Sequence, residues 1–170
     1  MGKEELGPNY VIPFSNLGIR DIETVGGKNA SLGEMISNLH ASGIRVPNGF
    51  ATTAVAFNEF LIYNDLVEKI DQKLKKLDVE DITKLTATGA EIRGWINKAS
   101  FQEQFEKEIR NAFDVLDEKQ GSSFAVRSSA TAEDLPQASF AGQQETFLNV
   151  SGIENILDSI RLVFASLYND

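Results

Sequence analysis

The chain has 170 residues, sets 25 Asp and Glu against 16 Lys and Arg for a formal charge of −9, and holds one His and no Cys. That length is about one domain and buries roughly 70% of its unfolded surface; with 42% apolar and 24% charged residues, a real core is expected and disorder is disfavoured. The lack of cysteine excludes disulfides and thiolate metal sites, the single histidine excludes a His metal cluster, and the acidic balance disfavours broad contact with nucleic acid.

No apolar run approaches the ~20 residues that cross a bilayer, which disfavours a membrane protein. The opening "MGKEELGPNYVIPF" has no long apolar leader, and a cysteine-free chain of this kind fits a reducing, cytoplasmic setting. A small anion needs only one or two placed cations and some backbone N–H groups, whatever the global charge.

In chain order, Leu6 to Ile22 is turn-rich and broken by Pro8, Pro13 and Gly18, and reads as a short strand near "YVIPF" plus loop. From Asn29, Leu32, Met35, Ile36 and Leu39 recur at helical spacing, and Gly43 supplies a stop. "IRVPNGFATTA" reads as a strand interrupted by a Pro-Asn-Gly turn, after which Thr52 or Thr53 caps a helix carrying Val55, Phe57, Phe60 and Leu61. The middle third is helical: Ile82, Leu85, Gly89, Ile92 and Ile96 form one apolar face, and Phe101, Phe105, Ile109, Ala112, Phe113 and Leu116 another. "SFAV" and "TFLNV" read as buried strands flanking a polar loop. A last helix carries Ile153, Ile156, Leu157, Ile160, Phe164 and Leu167. The final "YND" has neither a Gly stop nor a Pro breaker, so the chain reads as cut within or just after a helix.

Two places combine glycines or hydroxyls with a cation. In "VGGKNASLGEM", Gly26 and Gly27 let a ligand approach the main chain, and Lys28 stands at the start of a helix whose first N–H groups favour an anion. It is no Walker A loop, because Ile22 stands where that loop wants Gly and Asn29 where it wants Ser or Thr. The same residues also read as a Gly-Gly turn with Asn29 as helix cap and Lys28 in water. In "FAVRSSATAEDLPQASFAGQQETFLNV", Arg127 projects from a strand end with a fork of donors matched to phosphate oxygens, and Ser128, Ser129 and Thr131 add further donors. The other reading is a capped turn, Thr131 to Asp134, with Arg127 paired to Glu133 or Asp134. Gly142, Gln143 and Gln144 form a loop that folds over a ligand or closes a hairpin. His40 reads as a partner of helix-end carbonyls, Trp95 as partly buried core, and Glu103, Glu106 and Glu108 as a solvated helix face.

Taken together, "VGGKNASLGEMI", "GIRVPNGFATTAVAFNEFL" and the Phe124 to Val150 stretch resemble the N-terminal part of the phosphoenolpyruvate synthase family, in order, from about Tyr10 to the end of the chain. Pyruvate phosphate dikinase and rifampicin phosphotransferase share the same nucleotide-binding domain. The resemblance implies an α+β fold, the first lobe of an ATP-grasp domain with a small mixed sheet and a helical middle, spanning residues 1–170. It makes ATP the ligand, Lys28 and Arg127 its phosphate ligands, and Gly26, Gly27, Ser128, Ser129, Thr131, Gly142 and Gln143 parts of the phosphate enclosure. It also implies that Mg²⁺ and its acidic ligands, the phosphorylated histidine and the pyruvate site belong to other parts of the enzyme. This chain then carries no catalytic residue and is inactive alone. The competing expectation is a partner-binding or regulatory module, which would expose a broad apolar patch on the Phe57 to Phe113 helices.

Overall fold

The structure, a computed structural model, describes residues 9–39, 43–78, 80–118, 120–129 and 145–169. Strand β1 (Val11–Pro13) pairs antiparallel with β2 (Phe50–Thr52), Val11 standing opposite Thr52. After two 3₁₀ turns the chain enters α1 (Ile22–Val25), breaks at Gly26 and starts again as α2 (Gly27–Leu39). Thr53 follows β2 and caps α3 (Ala54–Tyr63), its Oγ1 accepting the Ala56 N–H at 3.1 Å. Three more helices follow, α4 (Leu66–Lys75), α5 (Ile82–Lys98) and α6 (Glu103–Leu116). Strands β3 (Phe124–Arg127) and β4 (Thr146–Val150) form a second antiparallel pair, and α7 (Ile153–Ser166) closes the described chain.

The main core is aromatic. Phe60 and Phe105 are fully buried, and Phe101, Phe164 and Tyr10 pack around them at centroid distances of 5.3 to 5.6 Å. Ile92, Ile96, Ile109, Ile156, Leu157 and Ile160 complete the cluster, so α3, α5, α6 and α7 each bury residues of the face that their spacing predicts, although Val55, Ile82 and Leu167 of that reading are exposed. On the Phe57 to Phe113 helices, Phe57 is half-buried against Phe164 at 4.9 Å and Phe113 is buried, while Val55, Ile62, Tyr63, Val67, Leu74 and Ile82 are exposed. Trp95 is partly buried core as expected, with the Lys69 ammonium 4.0 Å above its ring.

A smaller core holds Leu17, Val25, Ala30 and Ala51. Here α2 departs from its reading. Its buried residues are Gly27, Ala30 and Gly33, while Leu32 and Ile36 are half-buried and Met35 is exposed. Close approach explains the difference: a Cβ on Gly33 would stand 2.4 Å from the Leu17 carbonyl oxygen, so only a small-residue face fits against that backbone.

Three further expectations are corrected. The strands form two separate two-stranded antiparallel sheets among the described residues rather than one mixed sheet, giving an α+β arrangement of helices over small pairs. Both strands of the second pair are half-exposed, with Leu148 fully turned to solvent at 67% exposure, so they are not buried strands. Asn149 takes a positive φ of 58°, and the register slips by one residue between Phe124↔Val150 and Val126↔Phe147, the mark of a β-bulge. Glu108 is not solvated helix surface: its Oε2 accepts the N–H groups of Tyr10 at 2.9 Å and Val11 at 3.1 Å, tying the start of β1 to α6. Glu106 pairs instead with Arg110 at 2.7 Å.

Candidate functional site

Gly26 ends α1 with φ 79° and ψ 159°, a combination open essentially to glycine alone. Its N–H donates to the Ile22 carbonyl at 2.8 Å, and its carbonyl accepts the Ala30 N–H at 3.1 Å, so one residue both closes a helical turn and opens the next helix. Lys28 is half-buried in the first turn of α2, where main-chain N–H groups lack acceptors within the helix and the helix dipole is positive. Asn29 is not the helix cap, because α2 begins two residues earlier. Its side-chain Nδ2 donates back to the Val25 carbonyl at 2.9 Å and braces the break at Gly26.

The second motif arrives from the far side of the sequence. Strand β3 alternates, with Phe124 and Val126 packing against the main core and Ala125 and Arg127 outward. Arg127, paired with Thr146 across the sheet, is exposed, and its guanidinium meets no carboxylate among the described residues. Ser128 is buried, its N–H directed to the Glu145 carbonyl at 3.4 Å. The chain then reaches α2. Ser129 Oγ accepts the Asn29 N–H at 3.3 Å, across 100 positions of sequence. A Cβ on Gly26 would stand 2.3 Å from the Ser129 carbonyl oxygen and 2.4 Å from its Oγ.

The two motifs therefore meet, main chain against main chain. Of the expected site residues, Gly26, Gly27 and Lys28 stand on one side of this contact and Arg127, Ser128 and Ser129 on the other. Thr131, Gly142 and Gln143 lie outside the described residues, as do Glu133, Asp134 and His40.

Beside the contact opens a cleft of about 650 Å³, within the size range of small-molecule sites. Asn29 and Arg127 to Ser129 are among its polar lining residues, and Val25, Phe57, Phe124, Ile160 and Phe164 among its apolar ones. Arg127 lines this cleft, and Lys28 stands on the adjoining turn beside Asn29, which lines it too. Thr24, Asn48 and Asn58 also face it, and sequence reading singled out none of them. Thr24 adjoins the glycine motif and Asn48 lies in the Pro-Asn-Gly turn, whereas Asn58 sits within a helix and carries no local signal. Among the described residues no three His, Cys, Asp or Glu are grouped to hold a metal ion.

Comparison with known proteins gives this geometry a context. The family described as "Pyruvate phosphate dikinase, AMP/ATP-binding domain" matches residues 22–170. The phosphoenolpyruvate synthase of Neisseria meningitidis serogroup B is 57% identical over 168 residues, covering 97% of this chain and 21% of the relative. That of Deinococcus radiodurans is 58% identical over 162 residues, 95% of this chain and 20% of the relative. That of Escherichia coli K12 is 55% identical over 161 residues, 94% and 20%. The chain thus spans about a fifth of the length of the curated relatives it matches.

Proposed function

Since the chain belongs to the pyruvate phosphate dikinase AMP/ATP-binding domain family, we propose that residues 1–170 are the first lobe of an ATP-grasp-type nucleotide-binding domain. It holds the phosphates of ATP within a phosphoenolpyruvate synthase. That enzyme converts ATP, pyruvate and water to AMP, phosphoenolpyruvate and phosphate through a phosphorylated histidine. The histidine and the pyruvate site belong to parts of the enzyme beyond this lobe, so the lobe alone has no dikinase activity. The relatives' names favour this enzyme over a rifampicin phosphotransferase.

The observation that carries the reading is the contact of Ser129 with Gly26 and Asn29, which sets a strand-end arginine beside a helix start that bears a lysine. Each part has a distinct chemical task. The Arg127 guanidinium offers a planar fork to two phosphate oxygens, and the Lys28 ammonium a compact charge to a third. Gly26 lacks a Cβ where Ser129 packs, and Gly27 keeps a Cβ away from the main-chain N–H groups at the helix start, where an anion can come close. Ser128, Ser129, Thr131, Gly142 and Gln143 complete the enclosure. Phosphoryl transfer depends on such positioning and charge stabilisation more than on covalent help from the protein.

Mg²⁺ would arrive with the ATP phosphates, and its acidic ligands would come from a part of the enzyme beyond this lobe. The lobe's partners are then ATP and the rest of the enzyme, with no role for nucleic acid. A cytoplasmic location accords with this chemistry, and among the described residues no helix is long and apolar enough to cross a membrane.

Calorimetric titration of Mg·ATP into the chain and its Lys28→Met and Arg127→Met variants tests the reading, with sodium sulfate at matched ionic strength as control. Each variant is expected to bind about tenfold or more weakly, the scale of one charge-assisted contact. Unchanged affinity in both variants overturns it.

A further inference from the structure

Ser129 has a task that neither phosphate ligation nor core packing describes. Its Oγ is an acceptor for the Asn29 N–H at 3.3 Å, a helix-start donor that a local cap would ordinarily satisfy. The residue just before α2 is Gly26, which has no side chain to serve as that cap, and the Asn29 side chain is engaged with the Val25 carbonyl at 2.9 Å. The cap is thus supplied in trans, by a residue 100 positions away. The same residue is pressed onto Gly26 through both its carbonyl oxygen and its Oγ, at distances that leave no room for a Cβ. Two independent contacts, one a hydrogen bond and one a close main-chain approach, therefore fix Ser129 to the turn that carries Lys28. Ser129 is also two residues beyond Arg127 on the same extended strand end, which a neighbouring N–H bond, Ser128 to the Glu145 carbonyl at 3.4 Å, holds to β4.

We propose that Ser129 is a positioning residue that sets the distance between Lys28 and Arg127, by capping α2 from the end of β3. This rests on the phosphate-site reading above and adds a division of labour to it. Arg127 and Lys28 hold the anion, and Ser129 makes them act as one grip rather than as two separate cations. A hydroxyl suits the position because it accepts the Asn29 N–H and keeps its own proton free to donate. Alanine retains the small size that the Gly26 contact demands but loses the cap, so Ser129→Ala separates the two contacts.

The test is a double-mutant cycle on Mg·ATP affinity, with Lys28→Met, Arg127→Met and the double variant made in both the Ser129 and the Ser129→Ala backgrounds. With Ser129 present, the two cations are expected to couple, the double variant binding about five- to tenfold differently from the product of the single effects. In the Ser129→Ala background the effects are expected to multiply independently, and the Asn29 amide to exchange with solvent faster in the absence of nucleotide. A merely structural role lowers every affinity in parallel and leaves the coupling intact, which overturns the proposal while sparing the phosphate site. Ser129→Thr keeps the hydroxyl and adds one methyl against Gly26, and where it folds and caps Asn29 it is expected to show the coupling; such a variant without coupling counts against the proposal. If the parent chain binds Mg·ATP no better than it binds sulfate, the phosphate reading fails and the proposal fails with it.

Discussion

Gly26 and Ser129 touch through their main chains, so closely that a Cβ on Gly26 would lie 2.3 Å from the Ser129 carbonyl oxygen. Gly26 also holds a φ of 79°. Both facts forbid a side chain, and they are separable by comparison with Gly121, which has φ 87° but no atom within 4 Å of where its Cβ would be. Gly121→Ala is expected to cost about 1 kcal/mol of backbone strain. Gly26→Ala is expected to cost about 2 to 4 kcal/mol, because β3 and α2 must also move apart. Urea unfolding of the two variants measures the difference, and equal costs would mean that the contact gives way freely.

Glu108 anchors β1. Its Oε2 accepts two main-chain N–H groups and its Oε1 accepts the Gln104 side-chain N–H at 2.9 Å. Glu108→Ala leaves the Tyr10 and Val11 donors without that partner, and a loss of about 1 to 3 kcal/mol is expected. Hydrogen exchange at those two amides should quicken more than at Phe105 or Ile109, on the helix that carries the carboxylate.

Tyr10 donates its phenolic proton to Glu59, and this bond, with burial and the charges of Glu59 and Glu108 adding to it, pushes its pKa from 10.0 up to about 12. The folded state therefore holds the proton more tightly than the unfolded state. The stabilisation is complete below pH 10 and is lost as pH rises towards 12. Tyr10→Phe is expected to flatten most of that alkaline decline, leaving the part due to Tyr168, whose pKa burial also raises. Thermal melts across this pH window read it directly. A steeper alkaline decline in the Phe variant would contradict the assignment.

Much of this architecture was legible because long amphipathic helices state their buried face in their spacing. The α6 stripe of Phe105, Ile109 and Phe113 and the Ile156, Leu157, Ile160 and Phe164 of the α7 stripe are buried as read, while Leu167 is exposed, and of the two offered caps, Thr52 and Thr53, it is Thr53 that caps α3. What failed was set by partners remote in sequence. Ile82 heads an apparent apolar stripe yet is 74% exposed, since α5 buries only Ile92 and Ile96 deeply. The small-residue face of α2 answers to the main chain of Leu17, which periodicity cannot reveal. Glu108 looks like any surface glutamate until Tyr10 is folded against it. At the site, glycines and cations were visible as residue types, but the meeting of Gly26 and Asn29 with Ser129 is a tertiary fact. Thr131, Gly142 and Gln143 lie outside the described residues and remain expectations of the motif.

The central claim is that the Lys28 and Arg127 motifs form one phosphate site, and amide chemical shifts of the isotope-labelled chain during Mg·ATP titration test it most directly. The account predicts saturable shifts at Gly26 to Ser31 and at Arg127 to Ser129 with one shared dissociation constant, absent with sodium sulfate at matched ionic strength. Shifts that saturate at different concentrations in the two stretches, or that appear in only one of them, would contradict it.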